Sequence, residues 1–346
     1  MRVRAVFGAT LLAWAVLPAL ALVASADEDP PRHPADAGPP LRPPLTVLRA
    51  VQRSPTATAL AAVPRKELIV LVGGYGSGED PHIFDAFRAR VATEAGYDVV
   101  RFGQDLGTYD TVGAVDANAV RLRDSIRSVS TGYGGVHIVT HSMGGVVADR
   151  AFALGLSSGD GVTTYVAWAA PHDGSGAAQL LQSTLDVSGP ARDDTRAFTT
   201  AHFRDPDSAA VRDLARAHAS APPQGVIRLD LRLATDGLVS TADARDPGVP
   251  SRILLPTSLR ELEGHGGILQ SDAALDLTLA TIRTGAVPPD TRGLALRAAT
   301  ERVAHTVDGH AQLVLSLACG LCLIGGISAL VRRALRRCLP WPPISE

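Results

Sequence analysis

The sequence predicts an α/β fold, with a mostly parallel central sheet and helices on both faces. Two observations carry that expectation. From Glu67 onward, short β-branched runs alternate with helix-length segments, the signature of a parallel sheet. At 346 residues, with 46% apolar and 20% charged, the chain has enough material for one large domain and something more hydrophobic attached to it.

The elements follow in order. Leu68 to Val72 is the first strong strand, and it runs into Gly73-Gly74-Tyr75-Gly76-Ser77-Gly78. A helix is predicted from Pro81 to Ala95, with Asp80 as cap and the proline at its first position. Tyr97 to Phe102 is a strand, Val115 to Ser128 a helix, and Val136 to Thr140 a further strand. Thr164 to Trp168 is the next strand, ending in Ala169-Ala170-Pro171-His172-Asp173-Gly174-Ser175. Gly176 to Pro223 reads as polar and irregular, with short helical patterns such as Ser208 to Ala217, and forms an insertion or cap. Val226 to Leu233 and Arg252 to Leu255 are the last strands, and Gly267 to Ile282 is the closing helix. The α/β domain thus spans 46–285, with a short helix expected around Leu48 to Arg53.

Both ends carry membrane signals. Arg2 and Arg4 precede an apolar run that ends at Ala24-Ser25-Ala26, which is the pattern of a secretory signal peptide over 1–26. Residues 27–45 are proline-rich and acidic, a solvated tether. After a juxtamembrane segment, 286–310, with an amphipathic stretch from Leu294 to Val307, residues 311–331 are uncharged throughout. At about 1.5 Å per residue that run spans roughly 30 Å, the thickness of a bilayer core, so it is expected to be a transmembrane helix. Arg332, Arg333, Arg336 and Arg337 begin a basic tail, 332–346. The positive-inside rule then puts the tail in the cytoplasm and the catalytic domain outside the cell membrane.

Composition excludes some classes. Lysine and arginine total 33 against 35 acidic residues, so there is no basic footprint for nucleic acid. Cys319 and Cys322 fall in the expected span and Cys338 beyond it, which leaves the exported section without a disulfide framework.

The chemistry centres on Thr140-His141-Ser142-Met143-Gly144-Gly145. A serine at a tight turn from strand to helix, with a glycine two residues on, is a nucleophile elbow. The turn pushes the serine Oγ outward, and the residue at +2 must be small because its backbone crowds the strand. Thr140 stands where the usual pattern has glycine.

A serine hydroxyl is a poor nucleophile at neutral pH and needs a base and a group to orient that base. In this architecture the chain order is serine, acid, histidine. Asp236, in a turn after a late strand, fits the acid, with Asp230, Asp243 and Asp246 as rivals. Asp230 lies mid-strand, where a charge faces solvent or a structural partner. His265, between glycines and before the last helix, fits the base, with His172 as competitor. His141 is expected to point away from the face of the serine. The oxyanion needs two backbone N–H donors, for which Met143 and Tyr75 are the candidates, with Gly74 second.

Together V-G-G-Y-G, T-H-S-M-G-G, A-A-P-H-D-G-S, T-D-G-L-V and G-H-G-G-I-L give the chain its resemblance. It resembles the α/β-hydrolases of lipase and esterase type, in particular small bacterial lipases and GPI inositol-deacylase-like lipases. The resemblance implies an α/β-hydrolase fold and a membrane-anchored serine hydrolase that cleaves carboxylic esters. It implies a Ser142–His265–Asp236 triad with neither metal nor organic cofactor, and an ester or lipid substrate near the membrane. An acyltransferase or thioesterase on the same fold would use the same triad, and a non-catalytic binding domain would retain the fold alone.

Overall fold

The structure is a computed structural model. Its described residues run from 65 to 317, less 187–192, 194, 198, 200–204, 219–222, 245, 295 and 315. The expected signal peptide, tether, helix at 48–53 and basic tail lie outside the described residues, as does most of the expected span. Among the described residues, no helix is long and apolar enough to cross a membrane.

Among the described residues, six strands form one sheet: β1 Glu67–Val72, β2 Tyr97–Arg101, β3 Val136–His141, β4 Val162–Trp168, β5 Ile227–Leu233 and β6 Ser251–Leu254. Their order is β2-β1-β3-β4-β5-β6, and every neighbouring pair is parallel. The chain steps from β1 outward to β2, then returns past β1 to β3. That reversal is a topological switch point, and it opens a crevice beyond the carboxyl ends of β1 and β3. The glycine loop after β1 and Ser142 after β3 both lie there.

Side chains on successive strand positions point to opposite faces. Leu68, Val70, Val72, Val136, Ile138 and Tyr165 face helices α2 (Val115–Ser130) and α3 (Met143–Ala153). Ile69, Leu71, Val139, Val166 and Trp168 face α1 (Asp85–Val91) and α6 (Asp272–Thr284). Trp168 sets the second layer: its indole N–H donates to Thr278 Oγ1 at 2.9 Å, and Phe87 meets its ring edge-on. In β5, Leu229, Leu231 and Leu233 join this second layer, so the same alternation sends Arg228, Asp230 and Arg232 to the first face, where all three are buried.

Three expectations are corrected. The helix predicted from Pro81 to Ala95 is only Asp85–Val91. Asp80 does not cap it. Its carboxylate accepts from the His82 N–H at 2.8 Å, which holds residues 81–84 in turns. The closing helix predicted from Gly267 to Ile282 is split into a 3-10 segment, Gly264–Gln270, and α6. Ser271 makes the break: it is extended, and its hydroxyl accepts from the Ala274 N–H as a cap. The start of the insertion is not irregular either. Gly176–Leu185 is a regular helix, α4, capped by Ser175; Ala209–Arg216, α5, is the short helix expected at Ser208 to Ala217.

Residues 296–314 are helical, apart from the rest of the expected juxtamembrane stretch. This C-terminal helix packs on the domain, with Val303, Ala304 and Val307 in a small apolar cluster with Ala234 at the end of β5.

Candidate active site

Ser142 sits between β3 and α3 with φ 57° and ψ −130°. A positive φ is uncommon for a residue with a Cβ, and such strain persists only where the surroundings enforce it. Here they do. The Ser142 N–H donates to the Trp168 carbonyl at 2.9 Å, which continues the ladder into the turn. A Cβ on Gly144 would come within 2.4 Å of the Val72 carbonyl oxygen, so only glycine lets α3 start this close to the sheet. Thr140, where the usual pattern has glycine, is fully buried, and its Oγ1 has no hydrogen-bond partner. Its neighbour across the turn is Gly145, whose missing side chain leaves the room.

The loop after β1 lies directly beside the serine. A Cβ on Gly74 would fall 2.7 Å from Ser142 Cβ. Partly or fully buried side chains hold this loop in place. Tyr109 donates to the Gly73 carbonyl at 2.8 Å, and Arg101 donates to the carbonyls of Ser77 and Asp80 at 2.5 and 2.7 Å. The Tyr75 hydroxyl donates to the Asp205 carbonyl at 3.0 Å, which ties the loop to the insertion above it. Met143 is the first residue of α3, so its N–H has no carbonyl a turn back within the helix.

Asp236 and His265 meet. His265 Nδ1 donates to Asp236 Oδ2 at 2.9 Å, while Asp236 Oδ1 accepts from the N–H groups of Leu238 and Val239, each at 3.0 Å. Burial opposes ionisation of this carboxyl. Even so, the facing His265, its hydrogen bond, Arg232 and the Val239 N–H hold it below the usual range. His265 Nε2 is buried with no hydrogen-bond partner. It makes no hydrogen bond with Ser142.

His141, expected to point away, instead packs its ring against His265 with centroids 4.8 Å apart. Its Nε2–H donates to the His265 carbonyl at 3.2 Å. Burial pushes the His141 imidazole down to about 3, so it is a neutral prop.

The rivals have other partners. His172 is buried in an ionic cluster on the first face of the sheet. Its Nδ1 donates to Asp149 Oδ2 at 2.5 Å and its Nε2 lies 3.5 Å from Asp230 Oδ1. Arg228 bridges Asp149, Asp230 and Asp246, with its guanidinium over the Tyr165 ring. Burial disfavours charge on His172, but Asp149 and Asp230 outweigh it and raise the imidazole to about 9. Asp230 therefore has a structural partner. Asp243 accepts from the N–H groups of Gly176 and Ser240, which fastens the start of α4 to the acid turn.

Sequence reasoning missed this cluster, and it missed Arg101 and Arg232 as well. The available signal was the alternation Arg228-Leu229-Asp230-Leu231-Arg232 in a strand expected to be covered on both faces. Charges there need buried partners.

A cavity of about 410 Å³ opens beside the acid turn, lined by Leu180, Gly237, Leu238, Asp243, Asp308 and Gln312 among others. Ser142 is not in its wall. Among the described residues, no cluster of His, Cys, Asp and Glu is arranged to hold a metal ion.

A parallel sheet with a switch point, a strained serine between strand and helix, and an acid and a histidine on later loops are the arrangement of an α/β-hydrolase fold. Within it, residues 106–186, which include the elbow, match the PGAP1-like alpha/beta domain. No curated protein matches the chain. Among solved structures, the chain is similar to the mature Bacillus licheniformis lipase BlEst2. That match has 16% identity over 67% of this chain and 96% of that one, with a TM-score of 0.44. It is also similar to Aspergillus fumigatus lipase B, at 17% identity over 75% of this chain and 62% of that one, with a TM-score of 0.45. A thermophilic esterase from Thermogutta terrifontis matches at 17% identity over 66% of this chain and 97% of that one, with a TM-score of 0.39.

Proposed function

We propose that the chain is a serine hydrolase that cleaves carboxylic esters through an acyl-enzyme. Ser142 Oγ attacks the ester carbonyl carbon while its proton passes to His265 Nε2. Asp236, bonded to Nδ1, fixes the tautomer and balances the imidazolium that forms. The N–H groups of Tyr75 and Met143 receive the oxyanion. Collapse of the tetrahedral adduct breaks the carbon–oxygen bond of the leaving alcohol, which takes the proton from Nε2. Water then repeats the sequence and frees the acid.

One observation carries the reading. A serine held at positive φ follows His141, whose ring packs on His265, and the Asp236–His265 pair leaves its outer ring nitrogen unspent. A purely structural Asp–His pair would be expected to use both ring nitrogens. The long apolar run at 311–331 and the basic tail support a place for the domain on the outer surface of the cell membrane, with an ester or lipid substrate there.

The test is covalent labelling of the full-length protein with a fluorophosphonate. Wild type should label and Ser142→Ala should not; equal labelling of both would reject Ser142 as nucleophile. Acyl esters of increasing chain length, with and without an acceptor alcohol, then separate hydrolysis from acyl transfer.

A further inference from the structure

Resting on that reading, we infer that Asp308 of the C-terminal helix is a positioning residue for Asp236, acting through Arg232. Arg232 projects from β5 onto the first face of the sheet and is 3% exposed, so its charge must be met inside the protein. It is met from two directions. One guanidinium nitrogen donates to the backbone carbonyl of Asp236 at 2.8 Å and to Asp308 Oδ1 at 3.1 Å. The other donates to Thr241 Oγ1. Thr241 closes the loop, its N–H and hydroxyl both donating to Asp308 Oδ2, at 2.9 and 2.6 Å.

Asp308 thus holds both ends of the acid turn: residue 232 before it and residue 241 after it. Packing agrees with the polar contacts. Val307 and Ala304 seat the helix on Ala234, and a Cβ on Gly237 would lie 3.1 Å from Ala311 Cβ. The turn that carries Asp236 is therefore clamped between the sheet and a helix that lies outside the expected domain limit of residue 285. Nothing in the hydrolase fold itself requires that helix. In this chain, the segment leading to the apolar run completes the site.

The test is a double-mutant cycle on the full-length protein in detergent, read by the rate of fluorophosphonate labelling and by hydrolysis of p-nitrophenyl butyrate. Asp308→Ala should lower kcat and the labelling rate by on the order of tenfold, because a small displacement of an orienting group is costly. KM should stay within about twofold, since uniform binding is untouched. Asp308→Glu should recover most of the loss. In an Asp236→Asn background, Asp308→Ala should add less than about twofold, because residues acting as a unit are not additive. Arg302→Ala, on the exposed face of the same helix, controls for general damage.

If Asp308→Ala fails to fold, the near-isosteric Asp308→Asn serves in its place, with the same expectations on a smaller scale. Wild-type rates in the Asp308 variants, or a full multiplicative loss on top of Asp236→Asn, would overturn the inference. If the wild type itself fails to label, the hydrolase reading fails instead.

Discussion

His141 packs its ring on His265 and donates to its backbone carbonyl, so the residue before the proposed nucleophile supports the proposed base from behind. With its imidazole pushed down to about 3, His141 carries no charge across the pH range in which ester hydrolysis is assayed. Imidazole proton resonances followed by NMR should show His141 silent between pH 5 and 9. His141→Phe keeps a ring and removes the donor. It should lower stability by about 1 kcal/mol, the usual loss for one hydrogen bond, in urea unfolding.

Asp236→Asn should fold and retain its contacts with Leu238 and Val239. Without the carboxylate, the imidazole loses its tautomer control and its counter-charge. The expected fall in kcat is about 10³–10⁴-fold. A loss below tenfold in steady-state assays would transfer the acid role to another carboxylate.

The buried cluster around His172 gives stability a pH dependence. His172 is raised from 6.5 to about 9 in the folded state, so the folded protein binds its proton more tightly than the unfolded chain does. Its contribution is fully present below 6.5 and fades as pH rises through 9. The unfolding free energy from urea titrations should fall between those values, by an amount on the order of 1–3 kcal/mol. His172→Gln should be less stable at pH 6 and should show a flatter profile. An unchanged slope in that variant would remove His172 as its source.

The elbow makes a paired prediction. Gly144→Ala would drive a methyl against the Val72 and Gly73 carbonyls, and overpacking of this kind costs about 1–3 kcal/mol. Thr140→Val replaces a buried hydroxyl that has no partner and should raise stability by about 1 kcal/mol. Thermal melts of both variants check the two signs.

Much of this was legible in the residues. The strands were, because β-branched runs such as Val136 to Val139 are strong local signals. The turns that carry Ser142, Asp236 and His265 were legible, and Asp236 and His265 do come together. The shortened α1 was not, because the cap at Asp80 was consumed by a local turn. The division at Ser271 was hidden by the helix-compatible residues on either side of it. Long-range pairings were out of reach altogether. Arg232 and Asp308 are 76 positions apart, and nothing local in either segment names its partner. The same holds for Arg228 with Asp149 and Asp246.

The Tyr75 phenol bonds the insertion at Asp205, while the residue before it, Gly74, lies against Ser142. On the proposed hydrolase reading, an ester that displaces Asp205 would pull on the Tyr75 ring and so on the glycine loop beside Ser142, and bulky esters would turn over slowly even when they bind well.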